Sequence, residues 1–141
     1  TTLFLQGKIV DLTPLSRLFN LTTLTIVVNE ADLSPVSSIK CLQILDLHSN
    51  RAKLPNLTSL INLKELKLFN NKSDLKAISS LANIKKLNLD QNQADLKPIS
   101  SLKNLISLDL SNNKADITPI KKLIIHIRSK GGEVKGVPIF L

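Results

Sequence analysis

Side chains that could do chemistry are few in this chain of 141 residues. Beyond its carboxylates and lysines it has two histidines, His48 and His126, and one cysteine, Cys41. Catalysis requires several such groups that converge, and the two histidines lie far apart in the sequence. One cysteine cannot form an internal disulfide or supply a multi-cysteine metal site. We therefore expect no catalytic, metal or cofactor site, and we predict that this chain is not an enzyme.

Glycine is also too scarce for a phosphate-binding loop. No GxGxxG or GxxxxGK[ST] motif occurs, and three of the four glycines lie in the C-terminal tail.

No apolar run approaches the roughly 18 to 20 residues of a membrane span. With 43% hydrophobic residues and about one domain's length, the chain is expected to fold without a transmembrane segment.

The elements that would position any site come from a repeat with a period of 21 residues. The segment LTTLTIVVN from Leu21 returns as LQILDLHSN from Leu42, LKELKLFNN from Leu63, IKKLNLDQN from Ile84 and LISLDLSNN from Leu105. Its apolar residues alternate, which predicts short strands with one buried face. Stacked in parallel, these strands and their connections would share one continuous aliphatic core.

A second motif recurs in the same phase, between the strands. It reads DLTPLSRL, DLSPVSSI, KLPNLTSL, DLKAISSL, DLKPISSL and DITPIKKL, from residues 11, 32, 53, 74, 95 and 116. Apolar residues three apart predict a short 3₁₀ or α turn. The aspartates should accept backbone N–H bonds there, and Thr13, Ser34 and Thr118, each directly before a proline, suggest caps. The third copy, which opens on Lys53, predicts an irregular turn.

Asparagines close each strand motif and are expected to bond backbone groups of the neighbouring turn. They are Asn29, Asn50, Asn71, Asn92 and Asn113. We interpret this ladder, like that of the aspartates, as part of the scaffold rather than as a ligand site.

These residues resemble the leucine-rich repeat family, whose LxxLxLxxN signature is present five times, with Ile allowed at leucine positions. The short period and the DLxPISSL half are similar to the bacterial internalin-like subclass, whose repeats typically run one residue longer. The resemblance implies an α/β fold. It would be a right-handed solenoid with a parallel β-sheet on the concave face and short 3₁₀ or helical turns on the convex face. We expect one domain over residues 1–141, with about six repeats in 1–123 and an irregular cap in 124–141.

The ends and one internal position depart from the repeat. After Leu123 the sequence IIHIR predicts an irregular apolar strand that carries His126, followed by a hairpin around Gly131 and Gly132. The first repeat begins inside its own strand, so we expect upstream sequence or a partner at that end. Cys41 replaces an asparagine present in other repeats and is expected to be half-buried.

Outward strand positions form the surface that, by the resemblance, usually carries recognition. Phe69 is an aromatic residue that the scaffold does not require, and an apolar patch rimmed by charges is expected around it. The predicted partner-binding residues are Val27, Ile44, Asp46, His48, Glu65, Lys67, Phe69, Lys86 and Asp90. The resemblance thus implies a non-catalytic module that binds a protein partner, and we expect a monomer.

Charge leaves two alternatives open. The chain has 19 Lys or Arg against 11 Asp or Glu, a net charge of +8. Charges on the predicted concave positions balance, so the excess would lie on the loops and the convex side. That surface could bind a polyanion, either nucleic acid or an anionic membrane, although we expect a protein partner rather than nucleic acid. The segment could also be the targeting domain of a longer secreted bacterial effector or enzyme; the sequence leaves the compartment open.

Overall fold

A parallel β-sheet runs through the whole molecule in the computed structural model, which describes residues 1–9, 11–27, 30–71 and 73–140. Its strands follow chain order: β1 (Thr2–Gln6), β2 (Thr23–Val27), β3 (Ile44–Asp46), β4 (Glu65–Lys67), β5 (Lys86–Asn88), β6 (Ser107–Asp109) and β7 (Glu133–Lys135). From β1 to β6 each residue pairs with the one 21 positions later, so the sequence period is the sheet register. Equivalent side chains of successive repeats are therefore stacked.

The core lies between the sheet and its connections and consists of leucine, isoleucine and valine side chains. One leucine in each strand from β2 to β6, at the same position of successive repeats, is at most 2% exposed. These residues are Leu24, Leu45, Leu66, Leu87 and Leu108. Each fully buried aliphatic side chain contributes about 1.5–3 kcal/mol, and it does so against the neighbouring repeats. The predicted fold, a leucine-rich repeat solenoid of parallel strands and short turns, is confirmed.

The convex side carries 3₁₀ turns at Thr13–Arg17, Ser34–Ser38, Leu75–Ile78, Lys97–Ser101 and Thr118–Ile120. Before each turn an aspartate carboxylate accepts the backbone N–H two residues further on, at 2.8–3.0 Å, as predicted. The expected capping by Thr13, Ser34 and Thr118 is wrong, because these residues are the first of their turns and their own N–H groups are the ones bonded. The Ser34 hydroxyl donates to Asp32 as well, at 2.6 Å.

The third connection has no helical turn anywhere in residues 47–64, all of which the structure describes. Its predicted irregularity is confirmed, and the cause is local. Pro55 stands two residues after Lys53, where the other copies supply the N–H that bonds the aspartate, and proline has none. The bond is made three residues later instead, where the Asn56 side chain accepts the Thr58 N–H at 2.9 Å.

Side-chain amides, three of them buried and one half-buried, tie the strands to the turns on the inner side of the sheet. The side-chain nitrogens of Asn71, Asn92 and Asn113 donate to backbone carbonyls 24 residues earlier, at 3.1–3.4 Å, and Asn50 does the same to Ile26. The predicted scaffold role is confirmed for these four; Asn29 lies outside the described residues. A second amide ladder, which the sequence analysis missed, runs along the segments that lead back to the strands. Its bonds join Asn62 to Lys40, Asn83 to Ile61 and Asn104 to Ala82.

Cys41 interrupts this second ladder, and its side chain is exposed rather than half-buried. The expectation was wrong because the asparagines at this position face solvent and bond carbonyls at the surface. The place is therefore part of a surface ladder and not of the core.

The C-terminal segment differs from its predicted form. Residues Lys121–Ser129 form a helix, α1, and not an irregular strand. Leu123, Ile124 and Ile127 are buried on one face of it, so helical spacing prevails over the β-propensity of the isoleucines. The predicted hairpin is also wrong. Gly131, at a φ of 76°, ends the helix, and the N–H groups of residues 131 and 132 bond back to residues 128 and 127 before β7 pairs in parallel with β6.

Candidate functional site

The sheet brings most of the predicted site residues onto adjacent rungs of its outer face. Register places Ile44 beside Glu65 and Glu65 beside Lys86, while Asp46 lies beside Lys67. Two residues beyond the strand ends, the corresponding positions of three successive repeats are His48, Phe69 and Asp90. These side chains therefore form one continuous surface across β3, β4 and β5.

The centre of this surface is a pair of stacked rings. The His48 imidazole and the Phe69 ring have centroids 4.5 Å apart and planes inclined by 9°. Adjacent parallel strands are about 4.8 Å apart, so flat side chains at equivalent positions of two repeats meet face to face. Both residues are half-buried, which leaves part of the pair accessible. Such a pair contributes about 0.5–1.5 kcal/mol beyond area burial and presents a rigid apolar platform.

Asp46 holds the imidazole in place. It is only 9% exposed, and one carboxylate oxygen accepts both Nδ1–H of His48, at 2.6 Å, and the His48 backbone N–H, at 3.1 Å. Because the carboxylate is the acceptor, Nδ1 carries the proton and Nε2 is the remaining polar atom of the ring. Asp46 thus acts through His48 and offers little surface of its own.

Three further charges lie next to this unit. The Lys67 ammonium is 3.5 Å from Glu65 and 3.9 Å from Asp46, and the Lys86 ammonium is 4.0 Å from Glu65. Exposed pairs of this kind contribute about 0–1 kcal/mol each to stability, so their main effect is to orient the charged side chains. The surface around the rings presents both signs of charge in fixed places.

Two predicted residues contribute less to this surface. Val27 is only 7% exposed, although it is not part of the main core cluster. Asp90 is half-buried and accepts the side-chain N–H of Asn112 at 3.0 Å. Val27 can therefore offer little contact area, and Asp90 is already engaged at the edge of the surface.

A row of left-handed residues follows the strands, and the sequence analysis missed it. Ser49, Asn70, Gln91 and Asn112 have φ between 51° and 56°, a conformation that asparagine and glycine favour. Gly7, at φ 99°, occupies the corresponding position in the first repeat. The sequence did carry a signal for this conformation, because Gly7, Asn70 and Asn112 occupy the same position of their repeats. These residues turn the chain from the concave face towards the convex side.

The described part of the chain also carries titratable groups outside this surface. No group of three or more His, Cys, Asp or Glu side chains there could hold a metal ion. His126 lies on α1, where its Nε2 is 3.1 Å from the Lys103 carbonyl, so it extends the second amide ladder rather than joining His48. Within the described residues no helix is long and apolar enough to cross a membrane.

No protein-family model matches the chain, and no curated protein matches it. Solved structures do. Internalin C2 from Listeria monocytogenes is 29% identical, with a TM-score of 0.62 over 82% of this chain and 63% of that one. A leucine-rich repeat protein of Leptospira interrogans is 29% identical, with a TM-score of 0.70 over 93% of this chain and 36% of its own. A plant peptide hormone receptor, solved in complex with RGF2, is 24% identical, with a TM-score of 0.65 over 86% of this chain and 23% of the receptor.

The sheet register, the 3₁₀ turns and these similarities define a leucine-rich repeat solenoid. Within that class the chain is similar to the solved internalin C2, in agreement with the resemblance seen in its sequence. It spans less than two thirds of the length of each of these solved structures.

Proposed function

We propose that this chain is a non-catalytic module that binds a protein partner on its concave face, around the His48–Phe69 pair. The observation that carries the proposal is the stack itself: two rings 4.5 Å apart, half-buried on a rigid sheet. Protein interfaces concentrate binding energy in a few such anchors, surrounded by polar contacts that exclude water.

Each neighbouring residue has a role in this proposal. Phe69 and Ile44 supply apolar contact, and His48 supplies ring area together with Nε2. Lys67, Lys86 and Glu65 match the charges of the partner, because they stand half-exposed or exposed around the rings. Asp46 is a positioning residue for His48, while Val27 and Asp90 mark the two flanks.

Similarity supports a binding role. The neighbours include a peptide hormone receptor in complex with RGF2. RGF2 is the ligand of that receptor. In a rigid solenoid the inward residues maintain the scaffold, so the outward strand positions are free to vary with the partner. The charge pairs fixed at 3.5–4.0 Å on this face favour a partner of definite charge pattern over a general polyanion.

The test is affinity capture, with the bound proteins identified by mass spectrometry. The bait is compared with a Phe69→Ala, Lys67→Glu double variant and with a matched control, Phe19→Ala, Lys103→Glu, whose residues are exposed and lie outside the concave strands. A protein retained by the wild type and the control, and lost from the concave variant, supports the proposal. Equal retention by all three folded baits overturns it.

A further inference from the structure

A groove follows the rim of the solenoid where the left-handed residues turn the chain away from the sheet. Its lining includes the side-chain amides of Asn70, Gln91 and Asn112, together with the segment Ser49–Leu54 of the irregular third connection. We call this feature the rim groove. Neither His48 nor Phe69 is among its described lining residues, so it is a surface separate from the ring pair that carries the proposed function.

Basic side chains predominate among the described residues of the rim groove. They are Lys8, Arg51, Lys53 and Lys76, against two carboxylates, those of Glu30 and Asp74. Both carboxylates are already engaged: Glu30 lies 3.8 Å from Arg51, and Asp74 accepts the Lys76 backbone N–H at 3.0 Å. Within the described part of the chain no ion pair holds Lys8, Lys53 or Lys76. The described lining therefore carries four cationic against two anionic side chains, and Lys8, Lys53 and Lys76 present exposed ammonium groups there.

Comparison of the repeats shows that one of these basic residues, Lys53, replaces a residue of the scaffold. Lys53 stands where the other five copies have aspartate, and Pro55 removes the N–H that such an aspartate would bind. The third connection thus loses its turn and exchanges a carboxylate for an ammonium at one place. Scaffold chemistry needs no lysine there, because the Asn56–Thr58 bond at 2.9 Å already closes the turn.

The chemistry of the lining selects the ligand class. The basic residues are spread over the first four repeats, a span of about 15 Å at one strand spacing per repeat, which about five extended residues would cover. Side-chain amides can donate to and accept from a peptide backbone, and the ammonium and guanidinium groups pair with carboxylates or phosphates. No aromatic side chain is among the described residues of the lining, so bases would have nothing to stack on.

We propose that the rim groove binds an extended acidic peptide segment, with Arg51, Lys53 and Lys76 pairing to its anionic side chains. Aspartate, glutamate and phosphoserine share the required chemistry. This site does not depend on the His48–Phe69 surface, and a single partner could occupy both because Ser49 and Asn70 directly follow the two rings in sequence.

The test uses fluorescence anisotropy with labelled synthetic peptides. The probe is an Asp-rich peptide, compared with its Asn-substituted counterpart, a phosphoserine version and an oligothymidylate of equal charge. Two double variants of the protein are compared. The groove variant is Arg51→Asp, Lys53→Asp, and the control variant is Lys40→Asp, Lys103→Asp. The control makes the same change of net charge at exposed positions of the opposite edge.

We expect the Asp-rich and phosphoserine peptides to bind the wild type and the control. Affinity should fall at least about tenfold in the groove variant, and steeply with salt. The ring variant Phe69→Ala should leave this affinity unchanged. A failure of the groove proposal can therefore be distinguished from a failure of the proposed function on the concave face. Equal loss in the groove and control variants, binding of the Asn-substituted peptide, or stronger binding of the oligothymidylate would overturn the proposal.

Discussion

Replacing Asn92 by alanine should show how much one rung of the buried amide ladder contributes to the solenoid. Asn92 is fully buried. Its side-chain nitrogen donates to the Leu68 carbonyl at 3.4 Å, its oxygen accepts the Ala94 N–H at 3.0 Å, and its backbone N–H bonds Leu89. Alanine removes both side-chain bonds and leaves a buried carbonyl and an N–H without partners. Each orphaned group costs about 1–3 kcal/mol, and the long 3.4 Å bond places the carbonyl at the lower end. We therefore expect a loss of about 2–4 kcal/mol in the free energy of unfolding.

Urea denaturation followed by circular dichroism measures that loss. The matched comparison is Asp95→Ala in the same repeat, since Asp95 is exposed and accepts the Lys97 N–H, at 2.9 Å. Loss of this exposed hydrogen bond should cost about 0.5–1 kcal/mol. Parallel transitions of similar slope would show that both variants unfold as the wild type does. If Asn92→Ala destabilises no more than Asp95→Ala, the ladder is not the structural tie described here.

Three further predictions concern other parts of the scaffold. Hydrogen bonds from the Ser34 hydroxyl and N–H lower the pKa of Asp32. This contribution to stability is present at neutral pH and is lost as pH falls through the lowered value, below about 4. The free energy of unfolding of Asp32→Asn, measured during acid titration, should therefore decline less than that of the wild type. Gly132→Ala should destabilise the C-terminal segment by about 1–3 kcal/mol in thermal unfolding, because a Cβ there would lie 2.6 Å from the Ile106 carbonyl oxygen. Cys41→Asn should raise the melting temperature by restoring the missing bond of the second amide ladder, worth about 0.5–1.5 kcal/mol. An unchanged or lower melting temperature would count against that ladder.

The fold followed from the sequence because one period determines nearly all of it. A spacing of 21 residues fixed the register, the alternation of leucines fixed the buried face, and the aspartates marked the start of each turn. Pro55 explains why the third turn is missing, and the sequence already signalled that irregularity. The repeat constrains each of these features several times over.

The C-terminal segment was mispredicted because the repeat ends there. IIHIR has the composition of a strand, but burial of Leu123, Ile124 and Ile127 against the last repeat selects a helix. The same two glycines that suggest a hairpin also close a helix, through a left-handed Gly131. Only the tertiary contacts distinguish these choices.

The candidate site was predictable in position but not in detail. Phe69 stood out by type and His48 by its place one repeat earlier. Their stacking, and the bond from His48 to Asp46 at 2.6 Å, depend on side-chain torsions that no spacing specifies. The charges of the rim groove come from residues of different repeats, so they are grouped only once the strands are stacked.

The most direct test of the central claim is the affinity of a captured protein partner for purified Phe69→Ala, measured by calorimetry beside Phe19→Ala. Phe19 is 72% exposed and lies outside the concave strands, so its removal takes away a similar ring elsewhere. Recognition through the His48–Phe69 pair predicts that Phe69→Ala binds at least about tenfold more weakly while Phe19→Ala binds as the wild type does. Wild-type affinity in Phe69→Ala, with the fold intact, would contradict it.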